Sequence, residues 1–300
     1  MAAVSGRRSG PKGQNRNRGG SGRGRPGTGR QRERGSTPTR PDGGEKSKGS
    51  SNREKGLGGD HVEGRHAVRE LLLAGTRPVR EVLMSAGMDT APILEDIVGL
   101  ADETRTPLRE IGRSKFDTMT RTESSQGVMA NAAPVPSVGL NELIRPYDGR
   151  PPFLLALDGV TDPGNVGAIL RTAECAGVTG VIFPKHRAAH LTPTVTKSAQ
   201  GAIEHLRMTV VGGLPAALAK IIEAGIWTVG LDGGADQSLF DLNLAGEPTC
   251  LVLGSEGKGL SRLVRDRVDV VAALPLQGVL GSLNVGAAGA VAMYEVSRHR

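Results

Sequence analysis

The stretch that decides the fold is LPLQGVLGSLNVGAAGAVAMYEV, residues 274–296. It starts at the apolar end of a predicted strand, Leu274-Pro275-Leu276, and passes through two glycines to Ser282-Leu283-Asn284. A run of small residues follows, from Gly286 to Ala290, and small residues let another backbone approach a helix closely. The pattern predicts a strand, then a glycine-containing turn that could contact a ligand, and then a tightly packed helix.

Strands and helices alternate on both sides of this stretch, from Phe153 onward. The predicted strands are short apolar runs at 153–157, 180–183, 206–211, 227–231, 250–253 and 270–274. The predicted helices are at 165–176, 192–203, 214–224, 261–268 and 284–300. Short apolar strands separated by helices are typical of an α/β fold with a parallel sheet covered on both faces. Ligands bind such sheets beyond the carboxyl ends of the strands.

Polar residues follow the first of these strands in LDGVTDPGNVGAILRTA, residues 157–173. Asp162, Pro163 and Gly164 form a predicted turn, and Asn165 is placed to cap the next helix. Arg171 lies six residues further on, about 240° around the helix axis, so regular helix geometry does not bring it to Asn165. On its own, the segment equally fits a capped helix with a surface arginine.

A glycine-rich loop, VLGSEGKGLS at residues 252–261, follows the fifth strand. Gly254, Gly257 and Gly259 permit positive φ and close backbone approach around Ser255 and Glu256. The spacing is neither a phosphate-binding Walker loop nor a dinucleotide fingerprint. It suits a loop whose amides and carbonyls hold a nucleoside, although a simple glycine turn fits equally well.

The three segments, in this order and spacing, resemble the signature motifs of the SpoU (TrmH-type) RNA 2′-O-methyltransferases of the SPOUT superfamily. The resemblance covers Phe153 to Arg300. It implies S-adenosylmethionine as cofactor, a C-terminal trefoil knot, a homodimer and no metal. Knots are otherwise almost absent from proteins, so the topology is a specific expectation.

The resemblance also implies which residues act. The expected catalytic positions are Asn165, Arg171, Glu256, Ser282 and Asn284, and the expected cofactor-binding positions are Leu253, Gly254, Leu274, Leu276, Gln277 and Leu283. The family assigns the activating role to the arginine of the first motif. Because a guanidinium is a poor base, we expect Arg171 to bind a phosphate and stabilise the developing alkoxide. The chain departs from the family at Gly286, where a serine or another small residue is common.

A smaller α/β unit precedes this domain. Residues 59–133 resemble the substrate-binding domain of the ribosomal-RNA branch of the family, through GRHAV at Gly64 and QGVMA at Gln126. Ser125 stands where that branch usually has histidine. The proline-rich segment 134–152 is predicted to link this domain to the methyltransferase domain, residues 153–300. The expected substrate is the ribose of a guanosine in 23S ribosomal RNA; transfer RNA is the alternative.

The positive charge of the chain lies almost entirely in residues 1–58. This segment has 15 Lys or Arg and 4 Asp or Glu, a net charge of +11, and the remainder has 23 basic and 27 acidic residues, a net charge of −4. With five apolar residues, residues 1–58 are predicted to be disordered. Such a tail fits RNA phosphates or a solubilising role equally well.

Other function classes fit less well. No signal peptide or membrane-spanning stretch is recognised, and two distant cysteines favour a reducing cytoplasm over a disulfide framework or zinc site. A nucleotide-dependent oxidoreductase would need a glycine fingerprint after the first strand, where Pro163 and Asn165 stand instead. A catalytically silent RNA-binding protein of the same fold stays open as an alternative.

Overall fold

The computed structural model describes residues 56–186, 190–244 and 246–300. The predicted disordered tail therefore lies outside the described residues up to residue 55. The last residues of the predicted tail differ from that prediction. Leu57 packs against the hydrophobic core formed mainly by residues 153–300, and its amide donates to the Val135 carbonyl (3.0 Å). Gly58 forms a β-bridge with Leu191. Residues 57 and 58, which fall inside the range predicted to be disordered, are thus packed against the folded protein.

Residues 59–133, here called the small domain, form a four-stranded sheet in the order β1-β4-β2-β3. β4 pairs antiparallel with β1 and β2, and β3 pairs parallel with β2. Apolar residues of α1, α2 and the strands make its main core. The elements are β1 (His61–Glu63), α1 (Arg65–Ala74), β2 (Val79–Ser85), α2 (Pro92–Glu103), β3 (Leu108–Ile111), α3 (Arg113–Met119) and β4 (Val128–Ala132).

Residues 134–152, predicted as a linker, contain a short helix, α4 (Leu140–Leu143). Leu143 is fully buried against the next domain. The backbone of Val138 also donates to the carbonyl of Met208 (2.9 Å). The segment 134–152 is therefore packed along part of its length, because its apolar side chains join a hydrophobic core of the next domain.

Residues 153–300, here called the large domain, form a seven-stranded sheet in which every pairing is parallel. The strands are β5 (Phe153–Asp158), β6 (Gly180–Pro184), β7 (Met208–Val211), β8 (Trp227–Leu231), β9 (Gln237–Ser238), β10 (Thr249–Gly254) and β11 (Val270–Ala273). The helices are α5 (Pro163–Cys175), α6 (Pro193–Ser198), α7 (Leu214–Glu223), α8 (Arg262–Arg265) and α9 (Val285–Ser297). The predicted parallel α/β sheet is confirmed; α6 is shorter than predicted, with a 3₁₀ turn at Ala202–Glu204.

The strand order of the large sheet is β7-β6-β5-β10-β8-β11-β9. The chain runs outward from β5 to β7, then returns to build the other half, so the order reverses between β5 and β10. α5, α6 and α9 share one core cluster on one face, and α7 and α8 share another on the opposite face. The reversal point of such a sheet is where ligands bind, at the carboxyl ends of the strands.

A buried ion pair joins the two domains. Arg77 donates both Nε and Nη2 to the carboxylate of Glu204 (2.8 and 2.7 Å), and both side chains are at most 2% exposed. Nη1 of Arg77 also donates to the carbonyls of Gly59 (2.8 Å) and Ala133. The guanidinium is therefore almost fully bonded, which is the condition under which a buried pair is tolerated.

We expect Arg77→Met to lower the free energy of unfolding by about 3–5 kcal/mol, because Glu204 would be left buried without a counter-charge. Urea unfolding monitored by far-UV circular dichroism measures the loss. The double variant Arg77→Met/Glu204→Leu is the control, and it should recover most of the stability because no charge stays buried. A single variant as stable as the unsubstituted chain would contradict the role of this pair.

Within the part of the chain that the structure describes, no helix is both long enough and apolar enough to cross a bilayer.

Cys250 is buried, and burial raises its thiol pKa to about 12. Cys175, in contrast, is exposed near the end of α5.

Candidate active site

A cleft of about 480 Å³ opens where β8, β10 and β11 end at their carboxyl termini. Its size falls in the range of small-molecule sites. Its walls come from three loops: the residues after β8, the glycine-rich loop after β10, and the segment between β11 and α9. The lining residues are 231–234, 253–259, Leu274, Leu276, 281–283, Val285 and Ala288.

Five of the six predicted cofactor-binding residues line this cleft. Leu253 and Gly254 are buried at the end of β10, whereas Leu274, Leu276 and Leu283 present apolar surface from the segment after β11. Gln277, the sixth, does not line it; it is exposed on the same segment. The cleft thus combines leucine side chains with the polar backbone of a glycine loop, as a nucleoside site requires.

The glycine loop is closed by its own backbone. Ser255 and Gly259 exchange both backbone hydrogen bonds (3.0 and 2.9 Å), and Gly257 and Gly259 have φ of +76° and +63°. A Cβ on Gly254 would lie 2.2 Å from the backbone carbon of Gly259. The predicted need for glycine at these positions therefore has a geometric cause.

Three of the predicted catalytic side chains form one hydrogen-bonded cluster. Nδ2 of Asn165 donates to Oε1 of Glu256 (2.9 Å), and Nδ2 of Asn284 donates both to the same oxygen (2.9 Å) and to Oδ1 of Asn165 (2.8 Å). These residues come from α5, the loop after β10 and the start of α9. The cluster thus ties together the three strand-end segments at the reversal point of the sheet.

Asn284 has a second role as the cap of α9. Its Oδ1 accepts hydrogen bonds from the amides of Gly286 (2.9 Å) and Ala287 (3.2 Å), so its amide group is used on both sides. A Cβ on Gly286 would lie 3.0 Å from this Oδ1. Glycine at 286, the departure from the family pattern, leaves room for the cap.

Asn165 does not cap α5, contrary to the prediction from sequence. The helix begins at Pro163, and Asp162 is its cap, accepting from the amide of Asn165 (2.7 Å). Proline is favoured in the first turn because the amide it lacks has no helical partner there. With the cap supplied by Asp162, the side chain of Asn165 is available for Glu256 and Asn284.

Arg171 and Ser282 are not part of the cluster. Arg171 is exposed on α5, and no hydrogen bond or ion pair to its guanidinium occurs among the described residues. Ser282 lies exposed on the cleft wall. As expected from a six-residue spacing in a helix, Arg171 does not lie beside Asn165, and it faces outward.

The residues after β8 were missed in the sequence. Asp232, Gly233 and Gly234 line the cleft, and Asp232 forms an ion pair with Arg265 while its Oδ1 accepts from the Gly234 amide (2.9 Å). The available signal was a polar and glycine sequence directly after an apolar strand, at the carboxyl edge where ligands bind. Among the described residues, no group of three or more His, Cys, Asp or Glu side chains is placed to hold a metal ion.

The double use of Asn284 allows a test that separates capping from chemistry. Asn284→Ala should lose about 1 kcal/mol of stability with the cap, and also the donors to Asn165 and Glu256. Asn284→Ser should keep the cap, because serine is an equally good cap, but lose those donors. We expect both variants to show a similar reduction in the single-turnover rate of the methyl transfer that the motif resemblance implies, whereas thermal unfolding should show the larger loss for the alanine variant. Full activity of the serine variant would show that the cluster is not needed.

Comparisons with known proteins agree with this arrangement. Residues 152–294 match the SpoU rRNA methylase family, and residues 61–138 match the RNA 2′-O ribose methyltransferase substrate-binding family. The chain is 40% identical to the 23S rRNA (guanosine-2′-O-)-methyltransferase RlmB of Pseudomonas putida over 244 residues, which cover 80% of this chain and 97% of that protein. It is 41% identical to the RlmB of Pseudomonas aeruginosa over the same shares of the two chains.

The fold also matches a solved structure. The SpoU methyltransferase AviRb of Streptomyces viridochromogenes, in complex with the cofactor AdoMet, superposes with a TM-score of 0.66 at 26% identity, over 79% of this chain and 89% of that chain. The resemblance inferred from the three motifs is thereby confirmed. By sequence, by fold and by the order of its strand-end segments, this chain belongs to the SpoU rRNA methylase family.

Proposed function

We propose that this enzyme transfers a methyl group from S-adenosylmethionine to the ribose 2′-hydroxyl of a guanosine in 23S ribosomal RNA. The observation that carries the proposal is the Asn165–Glu256–Asn284 cluster at the edge of the leucine-lined cleft. The relatives from Pseudomonas supply the substrate class, because both are named as 23S rRNA (guanosine-2′-O-)-methyltransferases. The AdoMet bound in the AviRb structure indicates the methyl donor.

The cleft fits this cofactor. Leu274, Leu276 and Leu283 would pack against the adenine, and the backbone of the Gly254–Gly259 loop would hold the polar parts of the nucleoside. When bound, S-adenosylmethionine supplies an electrophilic methyl group on a sulfonium. The rest of the catalysis is positioning, which a rigid site provides by holding the reacting groups in line.

The ribose oxygen forms a bond to the methyl carbon while the carbon–sulfur bond breaks, and the hydroxyl proton is released. We assign Arg171 to the phosphate of the target nucleotide and to the negative charge that develops on the oxygen. Asn165, held by Glu256 and Asn284, positions the ribose at the cleft, and Ser282 lies exposed on the cleft wall. Since a guanidinium keeps its proton, Arg171 is not assigned as the base, and the hydroxyl proton passes to solvent water.

The small domain is proposed to bind the RNA and the large domain to methylate it. We also propose the trefoil knot and the homodimer of the family, and a cytoplasmic location with ribosomal RNA. Support for a dimer comes from apolar side chains left exposed next to the site, on the segment before α9 and on α9 itself: Val279, Leu280, Val291 and Tyr294. A second copy would cover them, and sedimentation velocity of the purified chain tests this.

The function is tested by incubating the purified chain with S-adenosylmethionine labelled in its methyl group and with either 23S rRNA or total tRNA. Digestion of the RNA to nucleosides should yield labelled 2′-O-methylguanosine from the rRNA. Label in tRNA alone would favour the alternative substrate. Absence of label in both would favour a silent RNA-binding protein.

A further inference from the structure

A basic seam lies where the small domain faces the large domain, formed by Arg65, Gln126 and Lys197. Arg65 is the first residue of α1; its amide donates to Oε1 of Gln126 (3.0 Å) and its Nε donates to the carbonyl of Gln126 (3.1 Å). A Cβ on Gly64 would lie 3.5 Å from this Oε1 and 3.6 Å from Cγ of Lys197 in α6. The side chains of Gln126 and Lys197, one from each domain, therefore lie beside Gly64, and the Arg65 side chain contacts the backbone of Gln126.

The charges of the seam are not neutralised within the protein. Three other arginines of the small domain are paired with carboxylates: Arg69 with Glu70 and Asp96, Arg77 with Glu204, and Arg109 with Glu81. For Arg65 and Lys197, in contrast, no ion pair with a carboxylate occurs among the described residues. Both are partly exposed. The protein after residue 58 has a net charge of −4, so Arg65 and Lys197, which both lie next to Gly64 and have no carboxylate partner among the described residues, form a local positive region that can attract an anion.

The seam connects directly to the helix that carries Asn165. Ser198, the residue after Lys197, donates from its hydroxyl to the carbonyl of Gly164 (3.2 Å). Helix α6 lies so close to α5 that a Cβ on Gly167 would be 2.3 Å from Cβ of Ser198. An RNA strand bound at Lys197 would therefore lie next to the N-terminal part of α5, the helix that carries Asn165.

The two sides of the seam are also held in a fixed relation. Besides the Arg77–Glu204 pair, Nε2 of His205 contacts the carboxylate of Glu70 (3.1 Å), and Gly201 packs so closely on Glu70 that a Cβ would be 2.3 Å away. The backbone segments that carry Arg65 and Lys197 are therefore held in a fixed relation before any ligand binds. Preorganised charges lose little entropy on binding.

We propose that this seam binds the sugar–phosphate backbone of the RNA, with Arg65 and Lys197 on its phosphates, and so delivers the strand to the Asn165–Glu256–Asn284 cluster. The inference rests on the proposed function and deepens it, since it names residues that connect substrate binding with catalysis. Phosphate contacts of this kind set position and register rather than sequence.

A polar cleft that shares Arg65 and Gln126 with the seam is a weaker candidate for the phosphates. That cleft, of about 490 Å³, includes Arg65 and Arg113 but also three carboxylates: Asp89, Asp117 and Glu123. Carboxylates repel phosphate and accept hydrogen bonds from nucleobases, so the cleft is less suited to the backbone than the seam is.

The test measures RNA affinity of the full chain at several salt concentrations. Lys197→Met keeps the apolar stem and removes the charge, and Lys197→Arg restores it. For each lost phosphate contact, the slope of log affinity against log salt should fall by about 0.7–0.9. We expect this change for Lys197→Met and for Arg65→Met, and wild-type behaviour for Lys197→Arg. The matched control is Lys220→Met, because Lys220 is exposed on α7, on the opposite face of the sheet.

Every variant keeps residues 1–58, so the contribution of that basic segment cancels in the differences between slopes. Cofactor affinity and thermal stability should be unchanged in Lys197→Met. If Lys197 served only to hold the structure together, its replacement would lower the thermal stability. Slopes of the Lys197 and Arg65 variants equal to that of Lys220→Met would overturn the inference. Absence of methyl transfer to RNA by the unsubstituted chain would instead refute the proposed function, and the two failures are thus distinguishable.

Discussion

Replacing Arg171 with alanine is expected to lower the rate of methyl transfer by about 10²–10³-fold, the loss typical for a group that stabilises developing negative charge. The guanidinium lies exposed on α5 and outside the cleft lining, so its removal takes nothing from the cofactor site. Cofactor affinity should therefore stay within about twofold of wild type, which is below about 0.5 kcal/mol. Single-turnover kinetics with 23S rRNA and calorimetric titration with S-adenosylmethionine measure the two quantities separately.

Lysine at the same position is the informative control. Lys keeps the positive charge but cannot bind a phosphate through two parallel N–H groups, so Arg171→Lys should recover only part of the lost rate. A lysine variant with the full wild-type rate would reduce the role of Arg171 to charge alone. An alanine variant with the wild-type rate would remove Arg171 from the mechanism altogether.

The fold and the centre of the site were predictable because both follow from local patterns. Apolar runs separated by amphipathic segments define a parallel sheet, and the carboxyl ends of parallel strands share one edge. Polar residues that follow different strands are therefore brought together, although they are far apart in sequence. This is why Asn165, Glu256 and Asn284 lie within hydrogen-bond distance, as the motif comparison implied.

Other features depended on contacts that leave no local pattern. The Arg77–Glu204 pair joins residues 127 positions apart, and nothing in either neighbourhood identifies the partner. The cap of α5 was misassigned because Asp162 and Asn165 are equally good cap residues, and only the position of Pro163 in the first turn decides between them. Gln277 was expected in the cleft because of its place in the motif, but an exposed loop does not fix which way one polar side chain points.

Gly254 is the glycine of the proposed cofactor site at which an added side chain would have the least room. It ends β10 at the centre of the sheet, and it is fully buried. A Cβ there would lie 2.2 Å from the carbon and 2.5 Å from the oxygen of the Gly259 backbone, and 2.5 Å from the amide of Leu260. These are backbone atoms of the loop that closes on Ser255, so no rotation of a side chain can relieve the contact.

We therefore expect Gly254→Ala to displace the 255–259 loop, with a loss of about 1–3 kcal/mol in stability, as is usual for overpacking. Since the same loop lines the cleft, a comparable loss in binding free energy would weaken the affinity for S-adenosylmethionine about 5- to 150-fold. Gly212→Ala is the matched control, because a Cβ on Gly212 would have no atom within 4 Å and the residue follows β7, away from the cleft. Calorimetric titration and thermal unfolding of both variants measure the effects. If Gly254→Ala bound the cofactor as tightly as Gly212→Ala does, the loop backbone would not be part of the cofactor site, and the leucines of the cleft would have to account for binding alone.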